Sequence, residues 1–228
     1  MTTSASQDID MKKEQEATLA RPRRRPGMFA RMLFWGMDVV HGKALTFQKV
    51  RLLELLARIP YQAWEVRQYR RLNNAFEDGA TVNKAEEIIA WGRDAQDNEF
   101  WHLQVITEKI AKDNVELTWF RDRFLPPIAA FKYNIFARIL ACFSIKSAFM
   151  LNADFEDHAE HEYMTYVKDH PELENAPVDC ESAKKFGNPK SWADVFRRIA
   201  LDERDHMNNS LIHAGRASEV VPYVSAKK

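Results

Sequence analysis

The stretches Glu99-Phe100-Trp101-His102 and Glu203-Arg204-Asp205-His206 repeat one device. A carboxylate and an imidazole three residues apart on a helix lie on one face and can share an ion. Two such pairs on separate helices, joined by an isolated glutamate from each of two further helices, form the ligand set of a carboxylate-bridged di-metal bundle. A single Glu-x-x-His arises by chance in many helices. The fold expectation therefore depends on whether the chain supplies the two further glutamates, each on a helix of its own.

With 228 residues the chain is long enough for one helical domain with a substantial core. Seven glycines and nine prolines are few for an all-β protein of this size, and the plentiful leucine, alanine, glutamate and arginine favour helix. Lysine plus arginine equals aspartate plus glutamate at 33 each, so nucleic acid is not expected as a partner. Two cysteines, Cys142 and Cys180, make neither a disulfide framework nor a zinc knuckle. Aromatic residues reach 11% with six tryptophans, which suits a core or a surface that meets lipid. No run of about twenty uncharged apolar residues exists, so no membrane span is predicted. The polar N-terminus, with Asp8, Asp10, Glu14 and Glu16, has neither the apolar segment of a signal peptide nor the acid-poor composition of a transit peptide.

Residues 1–26 read as a disordered tail ending in the basic run Arg21-Pro22-Arg23-Arg24-Arg25-Pro26. That run is either a solvated linker or a holder of anionic lipid headgroups. Residues 28–42 predict a helix apolar around most of its circumference, which lies either in one leaflet or in the core. A long helix is predicted over 46–72, where Glu54 stands among Leu52, Leu53, Leu55 and Leu56, a costly place for a carboxylate unless something neutralises it. Pro60 should kink or end it. A loop over 73–82 with Gly79 as breaker precedes a helix over 83–111, which carries Glu99 and His102. Pro126 and Pro127 mark the start of a further helix, 128–143. There Ile128, Phe131, Ile135, Phe136, Ile139 and Phe143 form a large apolar arc facing lipid or core. Ala130, Asn134, Ala137, Ala141 and Ser144 form a stripe of small residues that lets another helix approach. A helix over about 148–168 carries Glu156, with Glu160 and Tyr163 on the same face. After a turn-rich loop over 169–190, Ser191 is a sound N-cap for a helix over 191–213 carrying Glu203 and His206. Residues 216–228 read as an irregular tail.

The order of candidate ligands is thus Glu54, Glu99/His102, Glu156, Glu203/His206: single, pair, single, pair, on four successive helices. The fold expected is all-α: a ferritin-like di-iron four-helix bundle spanning 27–215, with two additional apolar helices forming a membrane-interface surface. The same six ligands would also serve a di-iron hydroxylase or desaturase, or a ferritin-like iron-handling protein.

The stretches Leu53-Glu54, Asn98-Glu99-Phe100-Trp101-His102-Leu103, Glu156-Asp157-His158-Ala159 through Tyr163, and Asp202-Glu203-Arg204-Asp205-His206 resemble the four iron-binding motifs of the alternative oxidases. Arg58-Ile59-Pro60-Tyr61 and Trp119-Phe120-Arg121-Asp122-Arg123-Phe124-Leu125 resemble the plastid terminal oxidase branch more than the mitochondrial one. The resemblance covers about residues 28–213. It implies an interfacial homodimer that passes electrons from ubiquinol or plastoquinol to dioxygen at two iron ions, making water without pumping protons. It assigns iron binding to Glu54, Glu99, Glu156 and Glu203, with His102 and His206 as ligands or close neighbours, and electron transfer to Tyr163. Lys49, Leu53 and Glu162 fall at quinol-pocket positions. Lys49 stands where the family carries an arginine, and Glu162 where it carries a small hydroxyl residue. Met207-Asn208-Asn209 replaces a more charged run. The expected location is the cytoplasmic face of a bacterial inner or thylakoid membrane, or an organellar membrane in a eukaryote.

Overall fold

A computed structural model describes residues 9–184 and 188–225. Residues 1–8 and 226–228 of the expected tails, and Gly187 of the expected loop, lie outside the described residues. Among those described there is no strand. The α-helices are α1 (Met11–Ala20), α2 (Met28–His41), α3 (Phe47–Asn74), α4 (Gly79–Lys112), α5 (Leu125–Phe143), α6 (Ile145–Asp169), the single turn α7 (Glu181–Lys184) and α8 (Trp192–Ala214).

Side-chain caps set most of the long helix starts. Thr46 accepts from the Lys49 amide, Asp78 from Ala80, Ser144 from Ser147 and Ser191 from Asp194. Gly215 closes α8 at φ +80°, the left-handed conformation glycine adopts without a Cβ penalty. Gly79, expected as a breaker, is instead the first residue of α4 behind the Asp78 cap, so the loop shrinks to residues 75–78. Pro60 does not end α3. The helix runs on to Asn74, because a buried face from Val50 to Gln68 packs on both sides of the proline. That burial outweighs the roughly 3 kcal/mol that an interior proline costs.

The short loop makes α3 and α4 an antiparallel pair: Glu65 meets Arg93 while Glu54 meets His102. The helices α6 and α8 form a second such pair, with Asn152 opposite Ser210 and Glu160 opposite Arg204. Contact within each pair is extensive and contact between the pairs is sparse. Two apolar cores fill the ends. One surrounds Leu53, Leu56, Tyr61, Trp64, Phe149 and Phe155; the other surrounds Val105, Ile106, Tyr163, Trp192, Phe196 and Ile199. A polar layer lies between them.

The N-terminal segment departs from the expected disordered tail. From Met11 to Ala20 it is a helix lying against α6 and α8, and its buried residues are Glu14, Gln15 and Thr18. Arg204 explains this. Its guanidinium donates to Glu14 Oε2 at 2.5 Å, to Thr18 Oγ1 at 2.7 Å and to Glu160 Oε1 at 3.0 Å, all buried. The basic run is likewise tied down, lying along α6 with three of its arginines ion-paired. Arg21 pairs with Asp157 and Glu160, Arg23 with Glu162, and Arg24 with Asp154 and Glu219. These arginines satisfy the charged face of α6, most of which is buried rather than solvated.

The helices α2 and α5 lie on the outside, and their apolar faces meet where Phe29 packs on Phe136, ring centroids 4.9 Å apart. The small residues Ala137 and Ala141 of α5 are buried, against α3 and α6, while Phe131, Ile135, Ile139 and Phe143 face outward. Met28, Met32, Trp35 and Val39 extend this exposed surface along α2. Contiguous exposed apolar area of this kind marks an interaction surface. Among the described residues no helix is long and apolar enough to cross a membrane.

Arg204→Ala would leave Glu14 and Glu160 buried without their shared cation, at an expected loss of about 3–5 kcal/mol. Chemical denaturation measures this; a loss under about 1 kcal/mol, the value of a surface pair, would contradict the role given to Arg204.

Candidate metal centre

The helical spacing of three residues turns Glu99 and His102 of α4 to one side, and Glu203 and His206 of α8 to one side. Those sides face each other across the bundle. Glu54 of α3 and Glu156 of α6 complete the polar layer, and all four glutamates are fully buried. The structure therefore brings together all six residues singled out in the sequence. They fall into two overlapping groups, Glu54–Glu99–His102–Glu203 and Glu99–Glu156–Glu203–His206, each with ligand atoms within 4.8 Å of one another. Each antiparallel pair contributes three of the six residues and borrows a carboxylate from the other pair.

Glu99 and Glu203 belong to both groups, and their oxygens divide between the histidines. Glu99 places Oε2 3.5 Å from His102 Nδ1 and Oε1 2.8 Å from His206 Nδ1. Glu203 places Oε1 3.1 Å from His102 Nδ1 and Oε2 3.4 Å from His206 Nδ1. A carboxylate that presents one oxygen to each of two adjacent positions is disposed to bridge two ions.

Neighbouring side chains fix the ligands. Tyr61 Oη and Asn152 Nδ2 donate to Glu156 Oε1 at 2.9 and 2.8 Å, and Asn152 is held by Ser210. The Tyr163 hydroxyl donates to Glu54 Oε1. Asp202 Oδ2 lies 3.4 Å from His102 Nε2 and is itself held by Arg198. A carboxylate behind a ligating imidazole fixes ring orientation and raises basicity. Tyr61, Asn152 and Asp202 were not assigned to the site from sequence. Tyr61 and Asp202 stand within motifs quoted above. Asn152, four residues before Glu156 on the same helix face, was also within reach of a spacing argument.

The donor chemistry fits a metal. Glu54 Oε2, Glu156 Oε2, both oxygens of Glu99 and Oε1 of Glu203 are buried and accept no hydrogen bond from the described residues. Orphaned buried carboxylate oxygens are expensive. Four carboxylates with two neutral imidazoles carry the charge that two divalent cations would offset, and mixed oxygen and imidazole donors suit first-row transition metals. Without metal, protons take that place. Burial pushes the Glu54 carboxyl up to about 8, against the opposing effect of His102. Burial also raises Glu156 well above the carboxylate range, helped by Glu203 and Glu99. Burial raises the pKa of Glu99 too, but the adjacent imidazoles of His102 and His206 outweigh it and leave that carboxyl down at about 2. Burial disfavours the imidazolium at both histidines, yet the surrounding carboxylates override it and raise both.

The residues expected around a quinol lie on the α2 side of the site. Leu53 is buried next to Glu54. The Lys49 ammonium is buried and donates to Asp38 Oδ1 at 2.6 Å and to the carbonyls of Gly42 and Lys43, tying α3 to the end of α2. Glu162 points outward to Arg23 at 2.7 Å. His158, stacked on Phe34 at 4.0 Å, has its pKa lowered to about 4 by burial, with Glu162 opposing and Arg23 and Lys49 reinforcing.

No protein-family model matches the chain, and a search of curated proteins finds no match either. The likeness to alternative oxidases rests on the quoted motifs alone.

Two outcomes follow for metal binding. Ligation must displace the protons on Glu54, Glu156 and the histidines, so affinity should strengthen as pH rises from about 6 towards about 8. Calorimetric titration across that range checks this, and a pH-independent affinity would contradict it. Glu54→Ala leaves the second group complete, whereas Glu203→Ala breaks both. Elemental analysis should therefore find more metal retained by Glu54→Ala than by Glu203→Ala. Equal retention would show that Glu203 is not shared.

Proposed function

We propose that this chain is a membrane-associated quinol oxidase that reduces dioxygen to water at a carboxylate-bridged di-iron centre, without pumping protons. The fold would be a ferritin-like bundle, working as a homodimer. The observation that carries the reading is the pair of shared carboxylates: Glu99 and Glu203 each turn one oxygen to each histidine in a layer closed to solvent. The exposed apolar faces of α2 and α5 favour an oxidase set in one leaflet over a soluble iron-handling protein, for which such faces would be an aggregation liability. A quinol is long and apolar, so a protein in one leaflet can receive it without extracting it into water.

In this reading Glu54, Glu99, His102 and Glu203 would hold one iron, and Glu99, Glu156, Glu203 and His206 would hold the other. When bound, the iron pair supplies the redox chemistry that links a two-electron donor to dioxygen. The protein supplies position, protons and exclusion of water. Asp202 orients His102 at Nε2. Tyr61 and Asn152 hold Oε1 of Glu156 and leave Oε2 turned to the site. Tyr163 donates to Oε1 of Glu54 and so fixes that carboxylate, leaving Oε2 turned to the site. Its ring lies 6.0 Å from that of Phe196, so Tyr163 sits between the ligand layer and an apolar core, the place for a group that passes electrons without admitting water. Lys49, Leu53 and Glu162 would border the quinol, ubiquinol or plastoquinol, on the α2 side. Bacterial inner, thylakoid and organellar membranes all offer such a donor.

Purified protein in detergent, loaded with iron, should consume oxygen when given a panel of quinols, and Glu203→Ala should lose this. Equal uptake by the two proteins would refute the site. Iron-loaded protein that consumes oxygen with no quinol, and with no stimulation by one, would point to a hydroxylase or storage protein instead.

A further inference from the structure

On the side of the bundle where α3 ends, a cleft of 370 Å³ opens between α3, the first turn of α4 and the end of α5. Its lining includes Arg67, Arg70, Arg71, Asn74, Thr81 and Cys142. The three arginines stand at relative positions 0, 3 and 4 of α3 and so share one face. Like charges at that spacing work against a helix. The C-terminal dipole of α3 offers partial relief only within the last turn, which covers Arg71 but not Arg67 or Arg70.

Little among the described residues offsets this cluster. Among the described residues none of the three arginines lies within ion-pair distance of a carboxylate, whereas Arg93 of α4 pairs with Glu65. Arg71 donates to the neutral amide oxygen of Gln68 at 3.0 Å. Asp78 is the nearby acid; its charge acts on Arg71 without forming an ion pair, because its carboxylate is turned to cap α4, accepting from the Ala80 amide at 3.2 Å and the Thr81 hydroxyl at 2.6 Å. Burial lowers the pKa of Arg67, and the neighbouring charge of Arg71 adds to this, against Cys142. The metal centre and the quinol side make no use of these residues.

We propose that the Arg67–Arg70–Arg71 cleft is a binding site for a phosphate group carried as a monoester or diester. Three guanidinium forks on one face present paired donors that match phosphate oxygens, where ammonium groups would act only as point charges. Asn74 and Thr81 add neutral polar groups at the rim, and the volume admits a phosphate with part of its substituent. Phe143, next to Cys142 and 86% exposed, ends the outward apolar arc of α5 at the edge of the same cleft. The phosphate can therefore belong to a lipid headgroup whose chains follow that arc, or to a soluble molecule. The inference does not depend on the redox reading.

The test is a titration of the full chain with two probes, inorganic phosphate and vesicles of phosphatidic acid in phosphatidylcholine, with phosphatidylcholine vesicles as reference. At least one probe should bind wild type saturably. Phosphate binding identifies a soluble ligand, and vesicle binding alone identifies a lipid headgroup. The combined Arg67→Lys, Arg70→Lys and Arg71→Lys variant keeps the charge but loses the forks, and should bind about tenfold more weakly or worse. The exposed change Arg70→Gln should weaken the same probe, while Lys168→Gln, in the last turn of α6, should not. Saturable binding by neither probe would overturn the proposal, and so would a triple lysine variant that binds as tightly as wild type.

Discussion

Four carboxylates and two imidazoles closed off from water in one layer of a helical bundle are the constraint from which the rest of this structure follows. Each orphaned carboxylate oxygen there is a standing cost. The neighbouring donors reduce it only in part. Tyr61 and Asn152 serve one oxygen of Glu156 and Tyr163 serves one of Glu54. The remaining oxygens converge, and a convergent set of unsatisfied hard donors is what a cation requires. The raised pKa values of Glu54, Glu156, His102 and His206 reflect the same demand, for they show the crowded layer favouring bound protons over bare charge.

The architecture places this cost where it ties the bundle together. The α3–α4 and α6–α8 pairs are each well packed but touch one another sparsely. Glu203 from one pair completes the group of the other, and Glu99 does the reverse. Ions bound there would cross-link the two pairs through shared carboxylates. On the far side of α6 and α8, a second buried polar network, Glu14–Arg204–Glu160 with Thr18, fastens the N-terminal helix. Arg204 and Glu203 are adjacent in sequence and point to different layers, so one helix serves both the candidate site and its outer brace.

Much of this was legible in the sequence. Ser191 and the Pro126-Pro127 pair announce helix starts through local chemistry, and the three-residue spacing of Glu99/His102 and Glu203/His206 fixes a shared face before any tertiary structure is known. What escaped depends on partners far along the chain. Nothing apolar in Met11–Ala20 predicts burial, because its inward face is Glu14, Gln15 and Thr18, matched by Arg204 and Glu160. The basic run looked free because its carboxylates lie some 130 residues later, on α6. Pro60 reads as a stop in isolation, and only packing on both sides carries the helix through it. The apolar arc of α5 could have faced core or outside; the stripe of small residues, Ala137 and Ala141, decided it by taking the buried side. The redox reading rests on the ligand set together with the motif likeness.

The most direct test of the central claim is anomalous X-ray scattering at the iron edge from crystals of the iron-loaded protein. The account predicts two peaks inside the bundle, one among Glu54, Glu99, His102 and Glu203, the other among Glu99, Glu156, Glu203 and His206. A single peak, or peaks only at the molecular surface, would contradict it.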